Sequence, residues 1–205
     1  MYVPAHFSQD DPALLQEVMQ RYGFATLISI VDGAPFVSHI PVLAREIDGV
    51  LHIEGHVARA NSHWRAIEAN PQVLVIFHGP HTYFSPSLYE GKDFVPTWNY
   101  VTVHASGSAT IDNSDDTKLT MLKALIASHE AGYQAQFDQL DEAFRAGNLK
   151  AIVAFDIVVT KLEGKFKLGQ HRLSVTRPEA QAVHESGDEN QREIAAWMKR
   201  LGYWK

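Results

Sequence analysis

Two Asp-Gly dipeptides constrain the fold of residues 24–55 more than any other feature of the sequence. Asp32-Gly33 separates the strand-like runs FATLISIV and APFVSHIPVLA, and Asp48-Gly49 separates the second run from VLHIEG. Asp-Gly between two such runs is typical of a two-residue β-hairpin, because both turn residues adopt positive φ angles. Residues 24–55 are therefore predicted to form a three-stranded antiparallel meander.

Further strands and helices are predicted around this meander. Strand-like runs are QVLVIFHG, WNYVTVHASGSATI and AIVAFDIVVTKLEG, whereas GPHTYFSPSLYEGKDFVPT indicates mostly loop and KFKLGQHR an extended segment. Six or seven strands at short spacing with few helices predict a mainly β fold with helices, α+β in class, in the form of a small decorated barrel. A single domain over residues 1–205 is the simplest organisation, with a helical insertion at about 114–146 and a C-terminal helix at 189–201.

Composition limits the partners and the compartment. The chain has 205 residues, of which 45% are hydrophobic, and this suffices for a core and excludes general disorder. The net charge of −6 argues against a broad nucleic-acid-binding face, because such faces need clustered positive charge. The absence of cysteine excludes disulfides and thiolate chemistry. With no signal-peptide pattern and no apolar run of ~20 residues, we expect a soluble, cytoplasmic protein without a membrane partner.

The stretch GHVARANSHW, residues 55–64, concentrates hydrogen-bonding side chains at a predicted strand-to-helix junction. Arg59 offers a permanently charged bidentate fork, and Asn61 and Ser62 add short polar groups beside the free N–H groups of a helix N-terminus. This set of groups suits a phosphate. From the residues alone the alternative is a helix cap formed by Asn61 or Ser62 beside a solvated arginine, and such caps are common.

Other kinds of reactive site find less support in the sequence. The pairs His56/His63 and His78/His81 lack the helical i, i+4 spacing and the carboxylate partner of a catalytic metal site, so no metal is predicted. No GxSxG elbow occurs, and Ser85 lies in a proline-bounded loop without an obvious base. The phosphate-binding patterns GxxxxGK[ST] and GxGxxG are also absent.

Two later stretches combine aromatic and basic side chains. In VPTWNYVTVH, Trp98 and Asn99 open a strand, where the tryptophan either belongs to the core or borders a planar ligand. The stretch EGKFKLGQHR is either a solvated basic segment or a segment that closes over an anionic ligand. Its polar residues are Lys165, Lys167, Gln170, His171 and Arg172. Together with GHVARANSHW, these stretches favour a ligand-binding site.

Seven ordered blocks of sequence resemble one known family. They are MYVPAHF, GFATLIS, SHIPVL, GHVARANSHW, FHGPHTYFSPSLY, VPTWNYVTVHASG and LEGKFKLGQHR, and they cover nearly the whole chain. The chain resembles the PaiB family, described as FMN-binding negative transcriptional regulators related to the split-barrel flavoproteins of the pyridoxamine-phosphate-oxidase-like group. The last block departs from the family pattern, because KLGQH stands where family members usually have KLSQN. Gly169 and His171 therefore lack the serine and asparagine side chains, which puts ligand contacts from both positions in question.

This resemblance implies a six-stranded FMN-binding split β-barrel that forms a two-fold homodimer with FMN at the subunit interface. It implies that the flavin phosphate is held by Arg59, Asn61 and Ser62, with His56 nearby. The implied contacts to the isoalloxazine ring lie on the second strand of the meander: Val37, Ser38 and His39. The contacts implied for the partner subunit lie in the later blocks: Trp98, Asn99, Lys167 and Gln170.

The function implied by the resemblance is that of an FMN-binding, PaiB-like negative regulator of transcription. No helix-turn-helix of normal length and no basic recognition helix occur, so DNA is a partner that the charge does not support, and an indirect effect on transcription is expected. One alternative is an FMN-dependent oxidoreductase or oxidase acting on an unknown small molecule, with His39 as a candidate for proton transfer. Another is a binding module that has lost flavin or holds haem.

Overall fold

The computed structural model describes residues 1–205 and contains seven strands and seven α-helices. The strands are β1 (Ser8–Gln9), β2 (Phe24–Val31), β3 (Ala34–Ile47), β4 (Val50–Ala58), β5 (Gln72–Phe84), β6 (Thr97–Asp112) and β7 (Ile152–Lys167). The helices are α1 (Pro12–Arg21), α2 (His63–Ala69), α3 (Asp115–Glu130), α4 (Gln134–Asp138), α5 (Glu142–Lys150), α6 (Glu179–Glu185) and α7 (Glu189–Arg200). None of these helices has the length and apolar character needed to cross a membrane.

The strands form one sheet in the order β1-β7-β4-β3-β2-β5-β6, and β6 also pairs with β7. The meander predicted from the two Asp-Gly turns is confirmed, because β2, β3 and β4 pair antiparallel in sequence order. Asp32 and Gly33 have φ angles of 50° and 79°, and Asp48 and Gly49 have 51° and 79°. These positive angles are those of the tight hairpin turn that Asp-Gly favours.

The chain divides into two compact units, each assembled from separate segments. The first, here called the terminal unit, comprises Met1–Leu15, His78–Val103 and Glu163–Lys205. The second, the central unit, comprises Gln16–Phe77 and His104–Leu162. The expectation of a single domain over residues 1–205 stays a prediction.

The core of the central unit is made by inward-facing residues of neighbouring strands. Leu27, Ile53 and Ile157 are completely buried. On β6, Gly107 lies so close to β7 that an added Cβ atom would stand 2.3 Å from the carbonyl oxygen of Val158. Only glycine permits this approach of two backbones. The predicted helical insertion is present as α3, α4 and α5.

The core of the terminal unit is organised around α7. Ile194, Trp197 and Met198 are buried as the apolar face of the predicted C-terminal helix, and the Trp197 ring meets Phe166 edge-on at 5.2 Å. The helix begins with a capping box, in which the side chain of Asp188 accepts from the N–H of Gln191 and the Gln191 side chain accepts from the N–H of Asp188. The sequence therefore specifies both the start and the buried face of α7.

Two local predictions need correction. The loop expected over residues 79–97 is wrong at its start, because β5 continues to Phe84 with alternating buried and exposed residues; Pro80 hides this alternation from a sequence reading. The extended segment expected over 165–172 ends at Lys167, and Gln170–Val175 form a 3₁₀ helix. The turn between them depends on Gly169 at φ 73° and on a hydrogen bond from the Leu168 N–H to the Gln170 side chain at 2.8 Å.

Candidate functional site

Arg59, at the end of β4 in the central unit, has an exposed side chain that is nevertheless fixed by the protein. Its Nε donates to the carbonyl oxygen of Lys150 at 2.6 Å. Its Nη2 donates to the carbonyl oxygen of Ile152 at 3.0 Å and to Oδ1 of Asn113 at 3.3 Å. The third guanidinium nitrogen, Nη1, has no acceptor in the protein. The arginine is thus held in one orientation with one donor group still available.

A buried chain of polar groups links β2, β3 and the start of α2. Asn61 donates through Nδ2 to the Ser38 hydroxyl at 3.0 Å. The same hydroxyl hydrogen bonds with Nδ1 of His63 at 2.8 Å, and Nε2 of His63 hydrogen bonds with the Ser29 hydroxyl at 2.9 Å. Two of the predicted residues, Ser38 and Asn61, are therefore brought into direct contact although 23 positions separate them.

His63 is the centre of this chain and was not among the predicted cofactor contacts. It is completely buried, and burial lowers its pKa to about 4, so that the imidazole is neutral at neutral pH. A neutral imidazole needs one donor and one acceptor, and two hydroxyl groups can supply both. The signal in the sequence is that Ser29 and Ser38 occupy inward positions of their strands, where an apolar residue is expected.

The N-terminus of α2 tests the alternative that Asn61 or Ser62 caps the helix. Asn61 accepts through Oδ1 from the N–H of His63 at 3.0 Å, so it does cap the first turn. Ser62 occupies the N-cap position but makes no side-chain hydrogen bond there. Its exposed hydroxyl is free for a ligand, whereas both polar ends of the Asn61 side chain are already engaged.

The three residues predicted as ring contacts lie on two faces of β3. Ser38 is 8% exposed and points inward, whereas Val37 is 46% exposed and His39 is also exposed. His39 is oriented by a hydrogen bond between its Nδ1 and the Thr26 hydroxyl at 3.0 Å. Only Val37 and His39 are therefore accessible to a flat ligand lying on the outside of the strand.

His56, on β4, is half-buried. Its Nδ1 atom is buried without a hydrogen-bond partner, and burial lowers the pKa of the imidazole. A buried polar atom without a partner is uncommon in folded proteins. His56 is therefore a polar side chain near the end of β4 with one nitrogen left unpaired.

The exposed face of β2 and β3 carries several large apolar side chains, and we call it the outer face. Phe24 is 70% exposed, Ile30 is 49% exposed and Val37 is 46% exposed. The strand register places Phe24 opposite Pro41 and Ile30 opposite Pro35, so these apolar groups share one surface. Several exposed apolar side chains on one face of a sheet are typical of an interaction site.

The four remaining predicted residues lie in the terminal unit. Lys167 donates to the carbonyl oxygen of Trp98 at 2.7 Å and to the Thr97 hydroxyl. Trp98 itself is 53% exposed. Asn99 is completely buried, and neither its Nδ2 nor its Oδ1 has a hydrogen-bond partner. Lys167 and Trp98 therefore retain accessible surface, whereas the amide of Asn99 does not.

Gln170, the fourth residue, bonds only with the backbone. Its Nε2 donates to the carbonyl oxygens of His6 at 2.9 Å and Phe166 at 2.7 Å. Its Oε1 accepts from the N–H of Leu168. Because these three bonds use both ends of its amide, Gln170 fixes the backbone at His6, Phe166 and Leu168.

A cavity of about 320 Å³ lies in the central unit beside α3, apart from the predicted contacts. Three carboxylates line it, Glu54, Asp112 and Asp156, and each has a partner. Asp112 accepts from the Thr117 hydroxyl at 2.7 Å. Glu54 accepts from Arg45 at 2.6 Å, and Asp156 lies 2.9 Å from Nδ1 of His52. Because these charges already have partners, the cavity gives no independent indication of a ligand.

Comparison with known proteins identifies the family. Residues 1–161 match the family model described as "Putative FMN-binding domain", and the chain belongs to this family. It is 34% identical over 174 residues to "Protease synthase and sporulation protein PAI 2" of Bacillus subtilis, an alignment that covers 84% of this chain and 83% of that protein. The resemblance to the PaiB family is thereby confirmed.

Solved structures share the fold. The flavocytochrome Anf3 from Azotobacter vinelandii has a TM-score of 0.65 at 14% identity, covering 94% of this chain and 78% of that chain. The FAD and heme binding protein from Mycobacterium smegmatis has a TM-score of 0.64 at 16% identity, covering 88% of this chain and 80% of that chain. The predicted class, a mainly β split-barrel fold with helices, is confirmed, and the two-residue strand β1 adds to the six expected strands.

Proposed function

We propose that this protein binds FMN, with the flavin phosphate at the end of β4, and that it acts as a PaiB-like regulator of transcription. The observation that carries the proposal is the match of residues 1–161 to a family described by FMN binding. The flavin named in the descriptions of the two similar structures agrees with it.

The groups at the end of β4 fit a phosphate. Arg59 presents Nη1 without a protein acceptor, while its other two nitrogens are held by backbone carbonyls. Ser62 presents an unbonded hydroxyl, and His56 a buried nitrogen without a partner. A cation already fixed in position loses little entropy on binding, and bonds from a guanidinium to phosphate are among the stronger ones in proteins. Asn61 contributes by positioning, since its amide joins the Ser38 hydroxyl to the first turn of α2.

The isoalloxazine ring is proposed to lie on the outer face, beside Val37 and His39. Val37 offers apolar contact, and the hydrogen bond to Thr26 holds the imidazole of His39 in place. Bound FMN would supply one- and two-electron transfer chemistry. The Nε2 atom of His39 makes no hydrogen bond within the protein and is the group proposed to exchange a proton with the ring. Ser38 acts from the inner side, through Asn61 and His63.

A second copy of the chain is proposed to cover the outer face. The exposed rings and methyl groups of Phe24, Ile30 and Val37 are unfavourable in water and suit a self-complementary two-fold contact. The resemblance assigns Trp98, Asn99, Lys167 and Gln170 to the partner's share of the FMN site. Of these, we assign Trp98, which is 53% exposed, to that role.

Regulation is proposed to act without extensive contact to DNA. The net charge of −6 disfavours binding to the negatively charged backbone of DNA, and no basic recognition helix is present. An equally well supported function is that of an FMN-dependent oxidoreductase. It is favoured by the imidazole of His39, which is exposed and oriented beside the proposed ring position.

The first test is titration of the purified protein with FMN, followed through quenching of flavin fluorescence. Saturable binding supports the proposal, whereas a colourless protein that leaves flavin fluorescence unchanged at high FMN contradicts it. Anaerobic addition of NADH or NADPH to the FMN-loaded protein then separates the alternatives. Rapid bleaching of the flavin band favours an oxidoreductase, and an unchanged spectrum with both nucleotides favours the regulator.

A further inference from the structure

Five basic side chains meet in the terminal unit, and we call them the basic cluster: His6, Lys165, Lys167, His171 and Arg172. The rings of His6 and His171 lie 5.1 Å apart, and the Gln170 side chain donates to the backbone carbonyl oxygen of His6. Lys165 and Lys167 are two positions apart on β7, so their side chains leave the strand on the same face. Arg172 follows in the adjoining 3₁₀ helix.

Neutral groups alone hold the cations of the basic cluster. Lys165 is 9% exposed, donates to the Tyr2 carbonyl at 3.0 Å and lies 5.4 Å from the Tyr100 ring. Arg172 lies 5.7 Å from the ring centres of Tyr89 and Phe94. No member of the cluster forms an ion pair with a carboxylate, whereas Lys199 in the same unit pairs with a glutamate at 2.9 Å.

The cluster members repel one another. Burial and then the charges of Lys165 and Arg172 lower the pKa of Lys167. Burial and then the charges of Arg172, His6 and Lys167 lower the pKa of His171. Cations held together without a counter-charge raise the free energy of the folded protein, and an anion placed among them removes that cost.

Asn99 gives a second, independent indication of a ligand. It is completely buried, with both ends of its amide unpaired. The amide faces Gly169, where an added Cβ atom would stand 3.8 Å from Nδ2 and 3.9 Å from Oδ1. A serine at this position, as in the pattern KLSQN, would bring a hydroxyl within reach of the amide. With glycine there, the amide keeps its unsatisfied donor and acceptor beside the basic cluster.

We propose that the basic cluster, with Asn99 beside it, is a second anion-binding site that takes a small molecule bearing a phosphate group. A phosphate dianion matches the excess of cations and accepts hydrogen bonds from the ammonium, imidazole and guanidinium groups. A small molecule fits better than nucleic acid, because the site is compact, Lys165 is buried and the protein is acidic overall. The proposal does not depend on where the FMN phosphate is held.

The test is calorimetric titration of the full chain with inorganic phosphate and with phenyl phosphate in a phosphate-free buffer, with and without saturating FMN. We expect saturable binding under both conditions. Lys167→Met and His171→Ala should each weaken it about tenfold, because each removes a charge-assisted hydrogen bond. Lys199→Met is the control, since it removes an equal charge that a glutamate already balances, and it should leave the affinity unchanged. His171→Ala alters an exposed side chain, so it reports even where Lys167→Met fails to fold.

Three results would overturn the proposal. One is the absence of phosphate binding to the wild-type protein without FMN. Another is phosphate binding that the two cluster variants leave unchanged and that Arg59→Ala abolishes. The third is binding that disappears once FMN saturates the protein, which would assign the cluster to the FMN site. If FMN itself does not bind, the titration without FMN still decides the matter, so the two proposals fail separately.

Discussion

At the scale of single residues, the histidine at position 63 determines how the end of β4 is organised. It connects the hydroxyl groups of Ser29 and Ser38 inside the central unit, and Ser38 in turn accepts from the Asn61 side chain. The geometry of Asn61 thus depends on a neutral imidazole that is completely buried. Removal of the imidazole costs this network two hydrogen bonds.

The lowered pKa of His63 makes stability depend on pH. Its pKa in the folded protein is about 4, below the unfolded value of about 6.5, so the unfolded chain binds the extra proton between these two pH values. The contribution of His63 is therefore complete above pH ~6.5 and falls as the pH drops toward 4, by about 3 kcal/mol in total.

We expect His63→Gln to remove this part of the pH dependence. Urea unfolding at pH 7 and at pH 4.5 gives the change in the free energy of unfolding with pH for each protein. The variant should show the smaller loss of stability on acidification. Comparison with the wild type is needed because burial also lowers the pKa of His56 and His184. Equal losses in both proteins would show that His63 does not titrate as described.

Residue-scale predictability was uneven. The local density of polar groups in GHVARANSHW was enough to select Arg59, Asn61 and Ser62 as candidates. The different roles of these three residues were not predictable, because the roles depend on neighbours that are distant in sequence. Arg59 is held by carbonyls 91 and 93 positions away, and Asn61 by Ser38.

At the scale of elements, the strands that the sequence specified best are those bounded by their own turns. The Asp-Gly pairs determine β2, β3 and β4 locally. The end of β5 was not predicted because Pro80 and the turn-forming residues after it resemble a loop. The 3₁₀ helix after β7 was missed because it rests on Gly169 and on the backbone bonds of Gln170.

Two glycines in different elements should respond to alanine with opposite signs. Gly107→Ala in β6 forces a methyl group against the Val158 carbonyl at 2.3 Å, and we expect a loss of about 1–3 kcal/mol. Gly147→Ala in α5 meets no atom within 4 Å, and we expect a gain of about 0.5–1 kcal/mol from helix propensity. Thermal unfolding of the two variants measures both changes. An unchanged stability of the Gly107→Ala variant would contradict the close approach of β6 and β7.

At the scale of the whole molecule, the outer face is the feature that a single chain leaves unexplained. Its exposed apolar side chains were visible in the sequence only as ordinary members of predicted strands. Which face of a strand is covered depends on the sheet, and an exposed apolar face becomes apparent only once the fold is known. The proposed homodimer gives this face a partner.

Phe24→Glu should separate the two copies. A carboxylate on the outer face would have to be buried in the proposed contact, which is costly without a cation beside it. Sedimentation of the variant is expected to give a monomer where the wild type gives a dimer. Phe144→Glu, at an exposed phenylalanine of α5, is the matched control and should remain dimeric. A monomeric wild-type protein would contradict the assignment of the outer face.

The central claim is that Arg59 holds the FMN phosphate, and the most direct measurement is the FMN dissociation constant of Arg59→Ala beside that of Arg65→Ala. Both changes remove one exposed arginine, and Arg65 stacks on Trp64, 4.5 Å from its ring centre. We expect FMN to bind Arg59→Ala about 10- to 100-fold more weakly than the wild type, as for the loss of a charged hydrogen bond, and to bind Arg65→Ala normally. Equal affinities in all three proteins would contradict the claim.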